Sequence, residues 1–137
     1  MRKTANTLIL VGAILSIVMA VSFLISAIVF FVISSDAVIE EMLKTATYDV
    51  TEEEARMILK TTFITLGVVF AFVSTFDIVN AIIAFISRKK ESKAAYILNI
   101  VFGLLSGVEV NAAGGVVGTI YITKKEIKEK EAIENQE

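Results

Sequence analysis

The sequence predicts an all-α integral membrane protein, a four-helix transmembrane bundle with a short extracellular helical segment between its first and second spans. Three observations predict this fold. Hydrophobic residues make up 55% of the 137 residues, against 20% charged residues, and they are concentrated in long blocks. Basic residues cluster at the ends of these blocks. The chain contains no proline, which removes the usual cause of a kinked helix.

The first two spans are predicted by length. Residues 8–33 form an uncharged apolar run of about 26 residues, and at about 1.5 Å per residue this exceeds a hydrocarbon core of about 30 Å. The basic start resembles a signal peptide, but the apolar core of such a peptide is only about 7–15 residues long. We therefore expect an uncleaved first span. Residues 61–87 form the second run, which is interrupted only by Asp77 and ends at Arg88, Lys89 and Lys90.

Residues 94–123 allow two interpretations, a single long helix or a hairpin of two short spans, 94–106 and 112–123. Short loops rich in Lys and Arg stay in the cytoplasm. Basic residues lie at the N-terminus, after the second run and after residue 123. An even number of crossings must then separate the last two clusters, which favours the hairpin. We predict one membrane domain over 1–137 in the plasma membrane, multi-pass, with both termini cytoplasmic.

Residues 35–60 are predicted to lie outside, since they carry seven acids and three bases. Asp36 is a good N-cap for a helix over 37–45. Thr51 and Glu54 match a capping box that starts a helix running to Ser87. The tail, 124–137, is expected to extend the last helix and to fray. Apolar residues expected to pack the outer helices together, or onto the apex of the hairpin, are Ile39, Met42, Leu43, Met57 and Ile58.

Asp77 is the most informative single residue. An ionisable side chain deep in a membrane span is costly and indicates a functional site unless it is neutralised by packing. Asn80 and Ser74 share its helix face. One interpretation is a neutral or hydrogen-bonded group that holds the second span against a neighbour bearing Asn99. The other is a proton or cation relay.

Small residues spaced four apart favour close helix packing, either within the bundle or in an oligomer. The residues concerned are Gly12, Ser16, Ala20, Gly103, Gly107, Gly114 and Gly118.

Glu109 and Asn111 are predicted at the apex of the hairpin as solvated loop residues. Their oxygens suit a hard cation, but the spacing is unlike a calcium loop. The chain has no Cys and no His, so it contains no Ser-His-Asp or Cys-His constellation. We expect no enzyme activity, no metal site and no cofactor. The chain has no basic stripe interleaved with aromatic residues, so no nucleic-acid partner is expected.

The order of these features resembles a family of small four-span membrane proteins of Gram-positive bacteria, a domain of unknown function. The resemblance covers nearly the whole chain. It rests on the basic start MRKTA, the acidic segment SSDAVIEEMLKTATYDVTEEEA, the basic loop SRKKESKAA and the short hairpin YILNIVFGLLSGVEVNAAGGVVGTIYIT, which is less Gly-rich than the family pattern. The resemblance implies four spans and a bacterial plasma membrane. It implies no activity and no catalytic residue.

The function expected from these features is that of a non-enzymatic accessory or interaction subunit of a bacterial membrane complex. Besides the lipid bilayer, its partner is then a membrane protein or a second copy of the chain. Two alternatives remain. One is a small transporter or channel with Asp77 as its ion or proton site. The other is an immunity or envelope-stress protein that protects against a membrane-active peptide.

Overall fold

A computed structural model describes residues 1–136, and the regular structure of these residues is all helical, which confirms the all-α part of the prediction. Its five helices are α1 (Arg2–Ile33), α2 (Asp36–Thr45), α3 (Glu52–Lys89), α4 (Lys93–Leu105) and α5 (Glu109–Glu134). The contacts divide the chain into two compact units. Unit 1 contains Met1–Met19 and the chain from Phe76 onward, and unit 2 contains Ala20–Thr75.

Two helices, α1 and α3, are long and apolar enough to cross a membrane by length and composition. In the most apolar stretch of each, only 28% of the residues are buried. Many large apolar side chains on both helices are exposed, such as Ile25 at 57% and Phe72 at 65%. The helix α4 is apolar but has only 13 residues, about 20 Å at 1.5 Å per residue. The four-span topology stays a prediction.

In unit 1, α4 and α5 form a hairpin whose turn is shorter than predicted. Only Ser106, Gly107 and Val108 lie outside the two helices. Gly107 has a φ of +73°, a conformation that costs a residue with a Cβ more than it costs glycine. A Cβ at Gly107 would meet nothing within 4 Å. Its assignment to a helix-packing stripe was therefore wrong, because its role is to make the turn.

The remaining glycines of unit 1 lie at close approaches between helices. A Cβ on Gly103 would lie 2.7 Å from the backbone nitrogen of Ala112, and one on Gly114 would lie 2.7 Å from Cγ1 of Ile9. A Cβ on Gly118 would collide with the ring of Tyr96. Small residues are thus needed where α5 meets α1 and α4, as in other membrane helix interfaces.

Apolar side chains pack beside these glycines in the interior of unit 1. Ile9 and Ala13 of α1 pack with Ala84 of α3, Tyr96 of α4 and Ile122 of α5 in one buried cluster. The helix α5 then continues through most of the tail to Glu134, which agrees with the expected helical extension.

In unit 2, α2 packs on the first turns of α3. Ile39 and Leu43 are buried against Ala55, with Leu59 half-buried beside them. Met57 and Ile58 are 61% and 57% exposed, so neither is buried between the outer helices as predicted. Met57 points away from Ala55 because of the helical repeat of about 3.6 residues per turn, whereas Ile58 borders the side of α3 that bears Ala55 and Leu59.

Farther along the two long helices of unit 2, aromatic rings hold α1 to α3. The ring centroids of Phe23 and Phe70 are 5.6 Å apart, and those of Phe30 and Phe70 are 5.4 Å apart. Phe30 also stacks on Phe63 at 6.3 Å. Such pairs contribute about 0.5–1.5 kcal/mol beyond their burial.

The helix starts were predicted with mixed success. Thr51 and Glu54 form the expected capping box, with the Glu54 amide donating to the Thr51 hydroxyl at 3.3 Å and the Thr51 amide donating to the Glu54 carboxylate at 3.1 Å. Asp36 as an N-cap was wrong. The cap position of α2 is Ser35, and Asp36 is the first helical residue, where its carboxylate pairs with Lys60 instead.

We predict that Gly103→Val destabilises the fold by about 1–3 kcal/mol, the usual cost of inserting methyl groups into a closely packed contact. The colliding atom is backbone, at 2.7 Å, so it cannot rotate away. The measurement is reversible unfolding in detergent followed by circular dichroism.

The matched control is Ala113→Val, at an exposed position of α5, which should change stability by less than about 0.5 kcal/mol. Equal effects of the two variants would contradict the close approach of α4 and α5.

Candidate functional sites

A chain of hydrogen bonds links three helices inside unit 1. Asn80 of α3 donates from Nδ2 to Oγ of Ser16 on α1, at 2.7 Å. Asn111 of α5 donates from Nδ2 to Oδ1 of Asn80, at 3.0 Å. All three side chains are fully buried. Three predicted site residues that are far apart in sequence therefore meet in one cluster, which we call the polar cluster.

Gly12 is what allows Asn111 to enter this cluster. A Cβ on Gly12 would overlap the side-chain amide of Asn111. Asn111 was predicted to be a solvated loop residue, and that prediction was wrong, because α5 begins two residues earlier and turns Asn111 inward. Glu109 is the first residue of α5 and is exposed.

Asp77 lies one helical turn before Asn80 and is fully buried. Neither of its carboxylate oxygens has a hydrogen-bond partner among the described residues. The Oδ1 atom of Asn111 is likewise buried without a partner. Buried polar atoms are nearly always hydrogen-bonded in proteins, so a fully buried carboxylate with two unpartnered oxygens is unusual.

Asn99, which lies on the neighbouring helix considered for Asp77, forms its hydrogen bonds elsewhere. Its amide donates to Oγ of Ser87 and, at 3.0 Å, to the carbonyl of Ala95. Ser87 in turn donates to the carbonyl of Ala95 at 3.1 Å. Ser87 was missed by the sequence analysis, in which it was only the end of the second apolar run. The signal available in the sequence was a serine and an asparagine, Ser87 and Asn99, near the facing ends of two apolar runs.

Ser74 belongs to unit 2. It is buried, and its hydroxyl donates to the carbonyl of Ala20 at 2.8 Å. Ala20, predicted as a small packing residue, is buried with it. This bond ties α3 to the backbone of α1 within unit 2.

The polar cluster offers oxygen acceptors rather than a nucleophile and base. Among residues 1–136, no group of three or more Cys, His, Asp or Glu side chains is placed to hold a metal ion. Asp77 is the one acidic group beside the polar cluster, whose own side chains are amides and a hydroxyl. This chemistry suits the binding of a proton or a small cation.

A second candidate site is the outer helical layer, defined as α2 with residues 46–60. Lys60 donates to Oδ1 of Asp36 at 2.8 Å, which ties α3 to the start of α2. Arg56 pairs with Glu40 across the helices at 3.1 Å and with Glu52 along α3 at 3.4 Å. These exposed pairs fix the register of the two helices more than they add stability.

An apolar cavity of about 230 Å³ lies in the outer helical layer. Its walls include Leu43 of α2, Tyr48 and Val50 of the connection between α2 and α3, and Ile58 of α3. The connection between α2 and α3 and the first turn of α3 also carry four exposed acids, which we call the acidic rim, and one of them, Glu52, pairs with Arg56. The residues of this rim are Asp49, Glu52, Glu53 and Glu54, all exposed.

Comparison of the chain with models of known families, with curated proteins and with solved structures finds no match. The resemblance to small four-span proteins therefore stays a prediction.

We predict that the pKa of Asp36 lies below its ordinary value, because Lys60 donates a hydrogen bond to its carboxylate and lies beside it. The pair then supports the outer helical layer above the ordinary Asp range, and this support is lost as the pH falls through the lowered pKa. Titration of the Asp36 carboxyl carbon by NMR should give a lower midpoint in the native protein than in Lys60→Gln.

Lys44→Gln is the control, since Lys44 pairs with Glu41 and not with Asp36. Its Asp36 midpoint should equal that of the native protein. A midpoint unchanged by Lys60→Gln would show that the pair does not form in solution.

Proposed function

We propose that this chain is a non-enzymatic, multi-pass protein of the bacterial plasma membrane that acts as an accessory subunit of a membrane complex, with the outer helical layer as its recognition element. The observation that carries this proposal is an ordered outer helical layer with an open apolar cavity and an acidic rim.

The membrane location is supported by the exposed apolar surface of α1 and α3. Soluble proteins rarely expose contiguous apolar patches larger than a few hundred Å². Exposed Val, Ile, Leu and Phe side chains recur along both helices, and lipid is the surrounding that such a surface fits. The hydrogen bonds of the helical backbone are satisfied within each helix, as a bilayer requires.

The topology is supported by charge. Basic residues flank the apolar runs at the N-terminus, at residues 88–93 and at residues 124–125, whereas residues 35–60 are acidic. By the positive-inside rule, the outer helical layer then faces away from the cytoplasm, where it can meet a partner on the external side.

The occupant proposed for the cavity is a basic amphipathic segment of a membrane-protein partner. An apolar side chain of that segment fills the space beside Tyr48 and Val50, and its Lys or Arg residues meet the acidic rim. A second copy of this chain is a poorer occupant, because its own outer helical layer is acidic. The close-packing glycines Gly12, Gly114 and Gly118 are occupied within unit 1.

We predict that Asp49→Cys reacts with a membrane-impermeant maleimide in intact cells, whereas Lys90→Cys and Gln136→Cys react only after permeabilisation. The chain has no cysteine of its own, so each variant reports one position. This pattern follows from four spans with both termini inside. Labelling of Gln136→Cys without permeabilisation would exclude that topology.

We further predict that a photo-crosslinking amino acid at Val50, which is 45% exposed, captures a discrete membrane-protein partner in living cells. Reversal of the rim with Asp49→Lys and Glu53→Lys should lower the yield at least about tenfold, because like charges across an interface cost more than about 1.4 kcal/mol.

The matched control is the same pair of reversals in the tail, Glu129→Lys and Glu131→Lys, which should leave the yield unchanged. An adduct that forms equally well with the reversed rim, or whose contacting segment is not basic, would overturn the assignment of the partner.

A further inference from the structure

Unit 1 contains buried hydrogen-bond acceptors that have no partner among the described residues. Asp77 contributes two carboxylate oxygens without a partner, and Asn111 contributes Oδ1. The bonds within the polar cluster run from Nδ2 of Asn80 to Ser16 and from Nδ2 of Asn111 to Asn80, and none of its donors reaches Asp77. The polar cluster therefore leaves the Asp77 carboxylate without a hydrogen bond.

Asp77 and the polar cluster belong to one neighbourhood. Side chains three residues apart on a helix lie next to each other, with Cβ atoms about 5–6 Å apart. Asp77 is three residues before Asn80, and Asn111 lies 3.0 Å from Asn80. The carboxylate and two amide side chains are thus grouped around the same turn of α3.

No charged side chain of unit 1 can neutralise Asp77 from within. In unit 1, α1 carries the charges of Arg2 and Lys3 at its first turn. The part of α3 that belongs to unit 1 carries Asp77 and, at its last turn, Arg88 and Lys89. The helix α4 carries only Lys93, at its start. The helix α5 carries Glu109 at its start and no other charge before Lys124, and the tyrosines Tyr96 and Tyr121 are the other ionisable groups. Each helix of unit 1 thus bears its remaining charges near its ends.

A buried carboxylate without a partner is strongly unfavourable. Transfer of an ionised group from water to an apolar surrounding costs far more than one hydrogen bond returns, so such a group acquires a counter-charge or a proton. In membrane-spanning helices, ionisable residues of this kind mark ion pathways and proton relays. Hard monovalent and divalent cations are held by the oxygen donors that this cluster provides.

We propose that Asp77, with Asn80 and Asn111, forms a buried site for one exchangeable monovalent cation, a proton or Na⁺. A proton on Asp77 supplies the missing donor, and Na⁺ is held by the free oxygens of Asp77 and Asn111. This site is independent of the outer helical layer and goes beyond the accessory role proposed above. It makes unit 1 a candidate element of coupled or gated cation movement.

The test uses the full chain in nanodiscs of zwitterionic lipid. Thermal unfolding is followed while NaCl replaces choline chloride at constant ionic strength and pH, and separately while pH is varied without Na⁺. An Na⁺ site predicts a midpoint that rises by several degrees with Na⁺, because a ligand of the folded state alone stabilises it. A proton site predicts a midpoint that rises as the pH falls and ignores Na⁺.

Difference infrared spectra give a second readout that does not depend on stability. A proton site predicts a carbonyl-stretch band of a protonated carboxyl that decreases as the pH is raised and is absent from Asp77→Asn. An Na⁺ site predicts a carboxylate band that shifts when Na⁺ replaces choline. Either readout in the native protein supports the proposal, even if a variant fails to fold.

Asp77→Asn should abolish the response to both ions and raise the basal midpoint, since it removes the uncompensated charge with little change in shape. Asp49→Asn, in the exposed connection between α2 and α3, is the matched control and should retain the native response. A native protein whose midpoint and spectra respond to neither ion, or respond equally in Asp77→Asn, would overturn the proposal.

Discussion

The close approach of α5 to α1 is the constraint on which unit 1 depends. In the membrane location proposed above, lipid offers no hydrophobic drive between helices, so they would associate through packing and interhelical hydrogen bonds. Gly12 and Gly114 leave room for Asn111 and Ile9 at this contact. With a larger residue at Gly12, the side chain of Asn111 could not reach Asn80, and the polar cluster would not form.

The polar cluster has two opposing effects on the fold. The bonds from Asn80 to Ser16 and from Asn111 to Asn80 join α1, α3 and α5 and specify their register. The unpartnered oxygens of Asp77 and Asn111 oppose burial, because a partly satisfied buried network is less favourable than a fully satisfied one. The proton or cation proposed for Asp77 would resolve this conflict.

The outer helical layer follows different rules, since its pairs are exposed to water. Its order comes from the burial of Ile39 and Leu43 against Ala55, and the ion pairs of Arg56 and Lys60 select one register. The acids left over define its electrostatic character. A surface of this kind attracts a partner of opposite charge and disfavours one of the same sign.

Local sequence signals were enough to predict the helices and most of their ends. Apolar runs, basic flanks and the capping box of Thr51 and Glu54 are local signals, and the structure agrees with each helix to within a few residues. Small residues at spacings of four also indicated close packing, because that requirement depends on side-chain size alone. Only Gly107 departed from it, since a single glycine can equally well make a turn.

Which polar residues meet depends on tertiary packing. Local sequence placed Asn111 in a loop and offered the helix bearing Asn99 as one neighbour for Asp77. The short turn at residues 106–108 instead starts α5 early, which turns Asn111 toward Asn80, while Asn99 bonds to Ser87. Pairings of this kind depend on the rotation and relative depth of neighbouring helices. Those quantities are set by the packing of whole helix faces, and no local run of residues encodes them.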